Sequence, residues 1–145
     1  CSDALKHLII QSIDSPDVLL QTLIDLKEKV SKQVENLEIV AGMYQKGKDT
    51  EALEIIHNLI DFLYSYMRTC YQISPVFGVN LSEVTLNNQS LEQLNIKLQD
   101  ILSEIVVIME NNDIVSLSDM LEYELKPLIE NLNDYLDILL QTIKS

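Results

Sequence analysis

Residues 16–53, PDVLLQTLIDLKEKVSKQVENLEIVAGMYQKGKDTEAL, decide the fold. Leu19, Leu23, Leu26, Val30, Val34, Leu37 and Ala41 recur at intervals of three and four. That spacing lines up on one side of an α-helix but scatters over both faces of a strand. Ser15 is a good N-cap, Pro16 suits the first helical position, and Asp17 suits the positive end of the helix dipole. A helix over about 16–46 would be ~46 Å long. Gly47 ends it in a left-handed position, with Lys46 and Lys48 near the negative end. Asp49 then caps a second helix. Its expected buried stripe is Leu53, Ile56, Leu59, Ile60, Leu63 and Met67, running to about Tyr71, with Ser74-Pro75 as its end. So short a turn between two long helices makes an αα-hairpin.

The pattern returns in the second half. Ser90 with Gln93 reads as a capping box. Leu91, Leu94, Leu98, Ile101, Leu102, Ile105 and Ile108 carry a third helix to about residue 110. Asn111-Asn112 stops it, and Asp113, or Ser116 with Asp119, starts the last helix. That helix has its stripe at Leu117, Met120, Leu121, Leu125, Leu128, Leu132, Tyr135, Leu136, Leu139 and Ile143. Pro127 falls inside it and predicts a kink near residues 123–127. A shift of 64 residues lays Val30, Val34, Leu37, Ala41 and Tyr44 on Leu94, Leu98, Ile101, Ile105 and Ile108. Residues 74–89 are too apolar for a free linker and predict a packed crossover with one short helical turn. Residues 3–14 predict a short first helix, with Leu5, Leu8, Ile9 and Ile13 at helical spacing. The expectation is an all-α single domain over 1–145. It is an antiparallel four-helix bundle of two long hairpins, 16–73 and 90–145, plus the short N-terminal helix.

Composition agrees. The chain has 145 residues, 3 Gly, 3 Pro and no Trp, too few turn formers for a β-sandwich or barrel. The formal net charge is −13, a field that repels phosphate backbones and anionic lipid, so no nucleic-acid or membrane partner is expected. The longest aliphatic run, Ile105–Met109, is far below the ~20 residues of a membrane span. Two cysteines, Cys1 and Cys70, without metal or redox spacing, point to a reducing, cytoplasmic setting.

Chemistry is sparse. Gly42, Gly47 and Gly78 build no phosphate loop, and two histidines with no nucleophile elbow build no triad. Glu54 and His57 share a helix face at the i,i+3 spacing of di-iron bundles, but the pair occurs once. No catalytic residue, cofactor or metal is expected. A metal-binding enzyme is the least favoured alternative.

Partner binding is the leading expectation. Tyr64, Tyr66 and Tyr71 lie on or just after the second helix with Phe62 and Met67, giving it large apolar residues on most of its circumference. A bundle covers one face, which leaves Tyr64, Tyr66, Met67 and Tyr71 as candidate partner contacts. The run from Asp113 to Pro127 adds Asp119, Glu122, Tyr123 and Glu124 as an acidic, kinked surface for a basic partner. Within it, Glu122 is expected to pair with Lys126, and Tyr123 to point inward. The alternative is a structural homodimer burying the tyrosine-rich face.

The D-x-V-x-L-x-D-x-L-E-Y-E-L-x-P run at 113–127 resembles one found in small, uncharacterised all-helical proteins of Gram-positive bacteria, a likeness that implies no activity. The long antiparallel helices, the acidic balance and the GKDTEAL turn at 47–53 are similar in style to flagellar export chaperones. That likeness implies an adaptor or chaperone-like module that binds an amphipathic helix of a partner protein.

Overall fold

Capping chemistry places the helices. In the computed structural model, which describes residues 15–144, the Ser15 hydroxyl accepts from the Val18 amide at 3.3 Å and opens α1 (Pro16–Gln45). Gly47 turns the chain at φ +75°, and α2 (Asp49–Phe77) follows. Asp49 is the first helical residue, where its charge suits the dipole, and Lys48 occupies the cap position without a side-chain bond. The helix expected over residues 3–14 lies outside the described residues.

α2 runs past its expected end. Pro75 sits inside its last turn, and the helix closes at Gly78, φ +66°, whose left-handed backbone suits glycine. The proline is tolerated because it and Tyr71, whose carbonyl would have taken its amide hydrogen, both lie on the exposed flank that solvent reaches. The crossover therefore starts at residue 78. It holds one 3₁₀ turn (Leu81–Glu83) and a hairpin of two short strands, β1 (Thr85–Leu86) and β2 (Gln89–Ser90). Asn87 and Asn88 make the hairpin turn at φ 52° and 65°, the left-handed pair that such two-residue loops require. The Tyr135 hydroxyl donates to the carbonyls of Gln89 at 2.8 Å and Leu86 at 3.2 Å, which fastens the hairpin to the last helix.

α3 (Leu91–Glu110) opens on the full capping box. The Gln93 amide donates to Ser90 Oγ at 3.1 Å and the Ser90 amide donates to Gln93 Oε1 at 2.9 Å. Asp113 caps the short α4 (Ile114–Asp119), accepting from the Ser116 amide at 3.1 Å and the Ser116 hydroxyl at 2.6 Å. A π-helical segment, Met120–Leu125, continues α4 into α5 (Lys126–Lys144). The fold is all-α apart from the short crossover hairpin. α1 packs along α2 and along α5, and α3 packs against α4 and the π segment. Lys27–Asp137 at 2.9 Å and Lys126–Glu38 at 3.3 Å join α1 to α5; one number rises as the other falls, so these helices run antiparallel.

The buried seam of α1 is Leu19, Leu23, Leu26, Val30, Gln33, Leu37 and Val40, alternating steps of four and three like one side of a coiled coil. Val34, expected inside, is half-buried, and Gln33 takes the core position beside it. α2 carries two such series one residue apart. The expected stripe draws on both: Ile56, Leu59 and Leu63 are buried, whereas Ile60 and Met67 are partly covered and Leu53 is exposed. The buried series is Ala52, Ile56, Leu59, Leu63, Tyr66, Cys70 and Ile73. Past Met67, Cys70 and Ile73 continue this series, whereas the half-buried Ser74 continues the other.

The π segment corrects the last helix. Its buried residues Leu117, Leu121, Leu125 and Ile129 are spaced by four throughout. Twelve residues at about 100° each overshoot three turns by about 120°, which would rotate Ile129 out of the core of a straight α-helix. The Lys126 amide bonds the Leu121 carbonyl, one residue further back than in an α-helix. That extra residue removes about 100° and restores the stripe. Ile129 is buried in place of the expected Leu128, which is half-buried. Pro127 brings no amide hydrogen, so the anomaly at 120–125 sits where the expected kink lies.

Candidate functional site

Tyr66 is the clearest correction among the expected partner contacts. It is fully buried, and its hydroxyl donates to Asn95 Oδ1 on α3 at 2.7 Å. Burial pushes its phenol well above the ordinary tyrosine value, with smaller contributions from Cys70 beside it. Burial also pushes the Cys70 thiol up to about 11, although hydrogen bonds from Tyr66 and Asn95 oppose the rise. Such a thiol is inert at neutral pH. Tyr66 and Cys70 thus lie inside the core, with the half-buried Asn95 joining them to its edge.

Tyr64 and Tyr71, seven apart on α2, are both exposed, Tyr71 at 83%. Met67 is half-buried and shares a recess of about 210 Å³ with Tyr71, Leu81, Asn95 and Ile96. The expected tyrosine face thus shrinks to Tyr64, Met67 and Tyr71.

The acidic run fares differently. Tyr123, expected inward, is 70% exposed. Leu121 and Leu125 lie inside, and Tyr123, two residues and so about 200° of rotation from each, faces solvent. Lys126 pairs with Glu38 and with Glu130 at 3.8 Å rather than with the expected Glu122, because the π geometry breaks the i,i+4 alignment. Asp119, Glu122 and Glu124 are exposed. Asp119, Tyr123 and Glu124 come together with Met120, Ser116 and Ile108 around a recess of about 460 Å³ between α3 and the π segment. On the opposite flank of α4, Asp119 and Glu122 edge a recess of about 330 Å³ with Val115 and, from α1, Tyr44. A third recess, about 350 Å³, lies between the two hairpin turns, where Leu53, Ile108 and Leu117 meet Asp49, His57 and Asp113. Burial raises the Tyr44 phenol there, and the Asp49 charge raises it further.

Three recesses therefore surround α4, and exposed apolar side chains line them: Ile114, Val115 and Tyr123. Of these the sequence pointed only to Tyr123. One signal was available: from residue 98 through 125 the chain has seven acids, Asp100, Glu104, Glu110, Asp113, Asp119, Glu122 and Glu124, and no Lys, Arg or His.

Glu54 and His57 are both exposed, and among the described residues no group of three or more His, Cys, Asp or Glu side chains is placed to hold a metal. Among the described residues, no helix is long and apolar enough to cross a membrane. Comparison with curated proteins and with solved structures gives no match. Residues 18–135, which take in most of the helical residues and the acidic tip, match the family described as Domain of unknown function (DUF8042), and the chain belongs to that family.

Proposed function

We propose that the chain is a non-catalytic protein-interaction module, adaptor- or export-chaperone-like, that acts in the cytoplasm. In this reading its rods close as an antiparallel four-helix bundle of two hairpins, and a helix of a partner protein docks on the tip of the second hairpin. The observation that carries it is the exposure of Ile114, Val115 and Tyr123 around α4, Val115 at 73%, each lining one or more of three recesses with apolar walls. Single exposed apolar residues are ordinary, but several that line recesses around one short helix mark a docking surface. The tip takes this role ahead of the tyrosine face because Tyr66 belongs to the core.

A photo-crosslinking residue at position 115, introduced in the source cell, tests the reading. The expected result is a defined protein adduct that is absent when the crosslinker replaces Asp61 on α2 and is lost in an Ile114→Ser background. Equal adducts from both positions, or none from position 115, refute it.

A further inference from the structure

We infer that the recess between α3 and the π segment receives a basic amphipathic helix, with one large apolar side chain seated between Ile108, Met120 and Tyr123 and its Lys or Arg residues over Asp119 and Glu124. The inference rests on the docking reading and names the partner's chemistry.

The recess has an apolar wall and an acidic rim. Ile108 and Met120 are half-buried within it, Tyr123 stands exposed beside it, and Asp119 and Glu124 are exposed at its edge. The charged residues that line it, Asp119 and Glu124, are both acidic. The hairpin from residue 98 through 125 carries seven acids and no base, and the cation that follows, Lys126, is held by Glu38 and Glu130. An occupant therefore gains by bringing positive charge, which also speeds its encounter. A second copy of this chain would bring seven acids against seven, so self-association through this face is opposed. Anionic lipid and nucleic acid are opposed for the same reason. The occupant is helical because the walls are two packed helices whose shared groove accepts residues at i, i+3 and i+4. The π segment helps build the site by supplying Met120, Tyr123 and Glu124 to its lining.

The test titrates the full chain into two labelled synthetic helices of about 18 residues, long enough to fold. Both have the same Leu positions, and the polar positions are all Lys in one and all Glu in the other. Binding is read by fluorescence anisotropy at two salt concentrations. The Lys helix is expected to bind and the Glu helix not, with affinity falling as salt rises. Tyr123→Ala should weaken the Lys helix about 30-fold, as loss of a central aromatic anchor does. Asp119→Lys with Glu124→Lys should weaken it at least about 10-fold, whereas Glu28→Lys with Asp61→Lys, equal in net charge, should change it by less than about 2-fold. All five positions are exposed, and circular dichroism of each variant confirms the fold.

Equal weakening by both double variants overturns the inference, because the attraction is then diffuse. An unaffected Tyr123→Ala overturns it as well. A Glu helix that binds as tightly as the Lys helix overturns the basic partner and leaves docking at the tip intact. If neither helix binds while crosslinking at position 115 still captures a partner, the inference fails and the docking reading stands. If crosslinking fails too, both fall.

Discussion

Gln33→Met should make this protein more stable, against the usual direction of core substitutions. Gln33 occupies a core position of the α1 seam at 8% exposure, between Val30 and Leu37, and its Oε1 is buried without a hydrogen-bond donor. A buried acceptor left unpaired costs about 1–3 kcal/mol. Methionine has nearly the same length and volume, so the swap removes the acceptor without opening a cavity or overfilling the seam. The residual exposure relieves part of the cost, which places the expected gain at about 1–2 kcal/mol. For a chain of this size that raises Tm by about 2–6 °C. In urea unfolding followed by circular dichroism it raises the midpoint by about half a molar at unchanged slope. Gln33→Ala serves as the control: it removes the same acceptor but leaves a hole, and should destabilise. A midpoint for Gln33→Met equal to or below the parent's would refute the reasoning, because it would mean that the glutamine carbonyl is satisfied or that the seam prefers its polarity.

Three further outcomes follow from the core and the caps. Tyr66→Phe should cost about 1 kcal/mol, since the orphaned Asn95 oxygen borders a surface recess; Asn95→Leu should cost about 2 kcal/mol, since it strands the fully buried phenol. The double variant, measured by urea unfolding, should cost less than the sum, and strict additivity would show that the two groups do not interact. With Cys1 replaced by Ser, Cys70 should resist a thiol reagent at neutral pH until the protein is unfolded, and rapid native labelling would contradict its burial. Because its folded value lies above the unfolded one, its contribution to stability is full below about pH 8.5 and is lost as pH rises toward about 11. Asp113 has the opposite sign: bonds from the Ser116 side chain and amide hold its carboxyl below the ordinary range, so its contribution is present above about pH 4 and is lost as pH falls through the folded value. The Tm difference between parent and Asp113→Asn should therefore shrink between about pH 5 and pH 2, and a constant difference would count against the cap.

Local chemistry in the chain carries the fold class and most boundaries. Ser15-Pro16, Gly47, the Ser90 and Gln93 box and Asp113 each satisfy or end a helix through atoms within a few residues, so their positions are legible without knowledge of the rest. Tertiary packing decided which of two neighbouring series faces inward. Val34 and Met67 look better buried than Gln33 and Tyr66, yet one residue of helix rotation, set by what α1 and α2 meet across the core, reverses that preference. The same holds for Tyr123. The spacing of four from Leu117 to Ile129 was in the sequence, but only neighbours that must keep all four side chains buried give the π turn its reason, and only their packing against α3 makes the acid-rimmed recess. Periodicity tells a helix that it has an inside; the other helices tell it which side that is.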